Sequence, residues 1–128
     1  MTYAGRCQCG ACRFEFDGPP NWVAHCHCLS CRRASGAALV SYVGVPDGAW
    51  RWTGAEPRAW ESSPGTRWLR CPDCGALVAY DAERYGAEIH FPLALIEDPA
   101  GLSPEGHARW EERVAWLALS DDLPKESR

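Results

Sequence analysis

The sequence predicts a mainly β fold of short antiparallel sheets with little helix. Three features point that way. Twelve glycines, ten prolines and seven tryptophans against one methionine favour short strands and turns. Apolar and charged residues alternate in short runs, with turn signals roughly every ten residues. Eight cysteines fall in three tight local groups, a spacing that suits metal stapling of short elements. At 128 residues with 46% apolar content the chain is read as one domain, 1–128. Its core would span about 3–119, and its polar tail, 120–128, is expected to fray.

The elements follow in order. Cys12-Arg13-Phe14-Glu15-Phe16 alternates and then breaks at Asp17-Gly18-Pro19-Pro20, which reads as a half-buried strand and a turn. Trp22-Val23-Ala24-His25 leads into the second cysteine group. Arg32-Arg33-Ala34-Ser35-Gly36 reads as a loop, and 37–45 as an apolar strand. Trp50-Arg51-Trp52-Thr53 ends at Gly54, and Arg58-Ala59-Trp60-Glu61-Ser62 ends at Pro64-Gly65. Cys71-Pro72-Asp73-Cys74-Gly75 lies between strand-like runs 66–70 and 76–80, as a hairpin corner does, with Gly75 allowing a tight backbone. A further strand is expected over 87–95, and 104–116 is either helical or an irregular wrap over the sheet.

Net charge is −4, which lacks the basic footprint of a nucleic-acid binder. No stretch approaches the roughly 18 apolar residues of a membrane span, and Cys7 comes early for a cleavable leader. The expectation is a soluble, untargeted, cytoplasmic chain with neither nucleic acid nor membrane as partner.

Spacing separates the two explanations for many cysteines. Cys7, Cys9 and Cys12, then Cys26, Cys28 and Cys31, then Cys71 and Cys74 form local clusters. Disulfides usually tie distant segments, whereas a metal needs several thiolates around one point. Cys7 with Cys9 and Cys71 with Cys74 make two pairs for a closed zinc site. Cys26, Cys28 and Cys31 leave a tetrahedral metal one corner open, and open corners are where chemistry happens. Three thiolates on zinc carry a net charge near −1, which suits an incoming thiol better than hydroxide formation.

Arg32 and Arg33 follow directly and are candidates to hold substrate carboxylates, the alternative being solvated surface residues. Cys12 shares a strand face with Phe14 and Phe16, so it reads as a buried apolar thiol. Otherwise it closes the second site or pairs oxidatively. His25 and His27 alternate with Cys26 and Cys28 and point away from the metal in an extended segment. His90 and His107 are single histidines, either of which can line a pocket.

Gly5-Arg6-Cys7-Gln8-Cys9-Gly10, the run from Cys26-His27-Cys28 through Cys31-Arg32-Arg33 to Ala37, and Cys71-Pro72-Asp73-Cys74-Gly75 together resemble the glutathione-dependent formaldehyde-activating family, which includes relatives of centromere protein V. The resemblance continues through Glu88-Ile89, Pro92-Leu93-Ala94, Asp98-Pro99, His107 and the ending 116–124. It implies a β-tent fold pinned by a structural zinc on Cys7, Cys9, Cys71 and Cys74. It implies a second zinc on Cys26, Cys28 and Cys31, two per chain, with glutathione binding nearby. The implied activity is that of a carbon-sulfur lyase joining a small aldehyde, formaldehyde, to glutathione or another small thiol. Cys12 and Ala76 depart from the family's usual small apolar residue and threonine. The alternative is a non-catalytic zinc-scaffolded module that binds a protein partner through Trp60 or Trp68.

Overall fold

The computed structural model describes residues 1–127. The chain is mainly β, as the sequence predicts, and its strands form two sheets. The smaller has the order β1 (Thr2–Arg6), β2 (Arg13–Asp17), β5 (Trp50–Trp52). The larger contains β3 (Trp22–Cys26), β4 (Val40–Pro46), β6 (Arg58–Ser63), β7 (Thr66–Arg70), β8 (Leu77–Ala82), β9 (Glu88–Pro92) and β10 (His107–Ala108). Its order is β10-β3-β4-β9-β8-β7-β6. Pairing is antiparallel except between β10 and β3, which run parallel.

Two expectations change. Residues 32–36, read as a loop, belong to a short helix, α1 (Leu29–Ser35). Cys28 caps its start by accepting from the Cys31 amide at 3.2 Å, and Gly36 closes it in the left-handed conformation, its N–H bonded to Arg32 O. The cysteine spacing itself thus builds the helix end. The polar tail does not fray over its described part. His107 N donates to Pro124 O, Glu126 N to His107 O and Trp110 N to Glu126 O, each at 2.8 Å. Residue 128 lies outside the described residues. The stretch 104–116 is an irregular wrap with one 3-10 turn, Trp110–Glu112, and not a regular helix.

Alternation along the larger sheet divides its faces. One face packs on the smaller sheet: Phe14, Phe16, Phe91, Val43, Val45 and Val78 expose no surface. Phe14 and Phe91 stack with ring centroids 4.0 Å apart, and Trp50 and Trp52 meet Phe91 edge-on. This is the main core.

The other face carries a row of residues in register across neighbouring strands. Trp22 stands opposite Gly44, Gly44 opposite His90, His90 opposite Tyr80, and Tyr80 opposite Trp68. Gly44 is needed there because a Cβ would lie 2.3 Å from the Trp22 ring. Its absence lets the indole cross β4 and meet His90 edge-on, 4.6 Å between centroids. Tyr42, one step along β4, joins the same cluster with Cys31, Trp68, Tyr80 and Ala82. Trp68 is therefore buried, which removes it as a surface anchor, while Trp60 on the edge strand is 47% exposed. Among the described residues no helix is long and apolar enough to cross a membrane.

Substituting Gly44→Ala should lower stability by about 1–3 kcal/mol through overpacking against the indole. The same change should red-shift the tryptophan fluorescence as Trp22 is displaced. Denaturant unfolding and emission spectra check both effects.

Candidate metal centres

The turn after β1 and the turn between β7 and β8 bring four thiols together. The sulfurs of Cys7, Cys9, Cys71 and Cys74 all lie within 4.8 Å of one another. Cys7 Sγ to Cys9 Sγ is 3.7 Å and Cys9 Sγ to Cys71 Sγ is 3.8 Å. A tetrahedron with edges of about 3.8 Å has its centre about 2.3 Å from each corner, the zinc–thiolate distance. The donor set therefore fits zinc. Backbone amides prepare it: Cys12 N points at Cys7 Sγ at 3.3 Å, and Gly75, with φ +78°, lets its own N–H turn back to Cys71 O. Burial pushes the Cys7 thiol up, but the Cys12 amide and the neighbouring thiols overcome it and bring it down to about 6.

Cys12 is wholly buried in the main core. Its sulfur neighbours Cys71 in the first cluster and plays no part in the second. Burial, with the nearby Cys71, pushes its thiol up to about 12. Strand alternation with Phe14 and Phe16 read its position correctly.

The second cluster is built by the end of β3 and the start of α1. Cys26, Cys28 and Cys31 converge with their sulfurs within 4.8 Å, Cys31 to Cys26 at 3.6 Å. Hydrogen bonds from Cys26 and Cys31 hold Cys28 well below the usual thiol range, and Arg109 favours its thiolate further. The Tyr42 hydroxyl donates to Cys31 Sγ at 3.5 Å, and burial pushes that phenol far up, so it keeps its proton. All three thiols open onto a cavity of about 550 Å³. Its walls include Trp22, Tyr42, Tyr80, Tyr85 and His90.

His90 and His107 both border this cavity. Glu88 Oε1 accepts from His90 Nε2 at 2.8 Å and from Trp22 Nε1 at 3.1 Å, which leaves His90 Nδ1 as an acceptor. Burial lowers the His90 pKa against the pull of Glu88, so the ring stays neutral.

A second polar chain runs beneath the C-terminal segment. The carboxylate of Asp121 accepts from His107 Nε2 at 2.9 Å, so His107 Nδ1 accepts from His27 Nε2 at 2.8 Å. His107 is the first cause holding the Asp121 carboxyl below its usual range, which fits that direction of donation. His27 Nδ1 is buried and has no partner among the described residues.

Arg32 and Arg33, expected to hold substrate carboxylates, do not border the cavity. Arg32 donates to Glu112 O at 2.8 Å, and both arginines flank a separate groove with Val114 and Trp116. The helix that replaces the expected loop turns them outward. Among the described residues, the arginines that border the cavity are Arg84 and Arg109. No cysteine motif or turn signal in the sequence marks either, because both arrive from segments distant in the chain.

A family model described as glutathione-dependent formaldehyde-activating enzyme matches residues 2–112. Among solved structures, the crystal structure of a Rhodobacter sphaeroides protein is similar, with a TM-score of 0.62 and 21% identity, over 79% of this chain and 91% of that one. At that identity the likeness concerns the fold. No curated protein matches the chain.

Native mass spectrometry should find two metal ions per chain. Cys28→Ser should lose one and keep the fold, whereas Cys71→Ser should lose the other and melt at markedly lower temperature, because that site ties two sheets. Asp121→Asn, which removes a charge-assisted hydrogen bond, should destabilise the fold by about 1.5–3 kcal/mol. Amide exchange at Glu126 should then quicken ahead of exchange in β4.

Proposed function

The chain belongs to the glutathione-dependent formaldehyde-activating enzyme family, and from that membership we propose that it makes or breaks the carbon-sulfur bond between a small thiol, such as glutathione, and a small aldehyde. One observation carries the reading: three convergent thiols form part of the wall of a cavity large enough for a peptide-sized thiol. Cys26, Cys28 and Cys31 would hold the zinc of this site, and Cys7, Cys9, Cys71 and Cys74 a structural one. The chemistry that zinc supplies when bound is stabilisation of a thiolate near neutral pH. Eight cysteines without a disulfide suit a reducing compartment.

The remaining work falls to the chain's own side chains. His90 Nδ1 offers a lone pair to the thiol proton, its tautomer fixed by Glu88 at the opposite nitrogen. The thiolate sulfur attacks the aldehyde carbon, a carbon-sulfur bond forms, and the carbonyl π electrons move to oxygen. That oxygen takes the proton from His90, so the product is the hydroxyalkyl thioether and the histidine returns neutral. Aromatic walls from Trp22, Tyr80 and Tyr85 exclude water around the adduct. The reverse sequence releases thiol and aldehyde.

Exchange NMR of formaldehyde with glutathione tests this directly. Wild-type protein should accelerate exchange, Cys28→Ser should abolish the acceleration, and His90→Asn should reduce it by about 10². Rates equal to the protein-free control for the wild type would refute the proposal. Because the folded pKa of His90 lies below its ordinary value of 6.5, its base form persists as pH falls through that value. The acid limb of the rate profile should accordingly lie below pH 6.5 in the wild type and disappear in His90→Asn.

A further inference from the structure

We infer that Arg70 is a positioning residue for the open cluster, through which the turn that carries Cys71 and Cys74 holds the helix that carries Cys31 and is capped by Cys28; this rests on reading both clusters as zinc sites and not on the thiol-aldehyde chemistry.

Arg70 is the last residue of β7 and directly precedes Cys71. One arm of its guanidinium donates to Gly75 O at 3.1 Å, at the far end of the turn 71–75, and the other donates to Ala34 O. Ala34 lies in the last turn of α1, 36 residues away in the chain, where carbonyls have no partner inside the helix. Among the described residues no carboxylate lies within ion-pair reach of Arg70, so no acid competes for its donors. A planar fork with fixed donor directions spans two carbonyls at once, whereas an ammonium is a point charge on a flexible stem.

Packing runs the same way. Trp68 of β7 and Leu77 of β8 lie in one cluster with Cys31, Cys26, Cys28 and Ala34. The two strands that end at the turn 71–75 are thus the bed on which α1 rests. With only seven residues, α1 cannot hold its own shape in water, and its placement depends on bonds from outside. Inside it, the Arg32 amide donates to Cys28 O at 3.0 Å and the Ser35 hydroxyl to Cys31 O at 2.7 Å. A shift of its last turn is therefore passed back to both cysteines. Cys26 stands apart, held on β3 by its pairing with Val40. The fit of Cys28 and Cys31 to Cys26 is set by how α1 sits on the β7–β8 hairpin, and Arg70 is the polar tie between them. A metal that fixes the turn 71–75 fixes Gly75 O, and with it the guanidinium that holds α1.

Zinc release from the metal-loaded protein to a chromophoric chelator tests the inference, the phase lost in Cys28→Ser belonging to the open cluster. Arg70→Gln should speed that phase about tenfold or more and change the other by less than about twofold. Arg70→Lys, which keeps the charge and loses the fork, should behave as Arg70→Gln does. In both Arg70 variants the amides of Arg32 and Gly36, bonded inside α1, should exchange faster while those of β4 do not change. Unaltered open-cluster release in Arg70→Gln, equal acceleration of both phases, or wild-type behaviour of Arg70→Lys would overturn the inference and leave the zinc reading intact. Wild-type protein that holds fewer than two zinc ions would overturn both.

Discussion

Four sulfurs drawn to one point from two sheets are the constraint on which the arrangement depends. Cys7 and Cys9 leave the small sheet and Cys71 and Cys74 leave the large one, and their sulfurs lie within 4.8 Å of one another, Cys9 at 3.7 Å from Cys7 and 3.8 Å from Cys71. Thiolates at that spacing repel one another, and a cation at their centre would make the convergence favourable. Once those turns are fixed, the smaller sheet must lie across one face of the larger. Phe14, Phe16 and Phe91 then fill the space between them. The opposite face is left without a second sheet, and the cavity forms there. The closed cluster and the open one share no cysteine.

The cysteine partition was legible because ligand spacing is local. Two residues separated by one or two positions are close in any compact turn, so pairs and triples can be read without knowing the fold. Strand positions were legible for a similar reason: period-two alternation and Gly or Pro breaks mark β2, β5, β6 and β7 within a residue or two. What escaped was non-local or carried a contradictory local signal. Residues 32–36 have loop-like composition, yet the Cys28 cap and Gly36 make them the end of a helix. The wall residues Tyr42, Tyr80 with Arg84, and Arg109 come from three separate segments, and strand order brings those segments together. Arg32 and Arg33 misled for the converse reason. They adjoin the ligands in sequence, but a helical turn carries them to another surface.

The two histidine chains show how a buried neighbour sets the chemistry of a ring. Glu88 fixes His90 with Nε2 protonated and Nδ1 free to accept, and Asp121 fixes His107 and then His27 in the same sense. In each chain one carboxylate decides a tautomer some distance away. The consequences differ because of where each chain ends. His90 borders the cavity, so its open nitrogen is available to a ligand. The open nitrogen of His27 is enclosed, so that chain positions the segment carrying Cys26 and Cys28.

The C-terminal segment has a larger part in the site than its polarity suggests. The family match ends at residue 112, yet Pro124 and Glu126 border the cavity, held there by backbone bonds to β10 and by Asp121 on His107. The clusters and sheets lie within the matched region, so the cysteine geometry sits in the part of the chain that the family shares. Part of the cavity wall lies outside it. A chain with the same cysteines but a different C-terminal segment would keep the cysteine geometry and present a different cavity wall. The cavity wall in this architecture can therefore change without any change to the thiols.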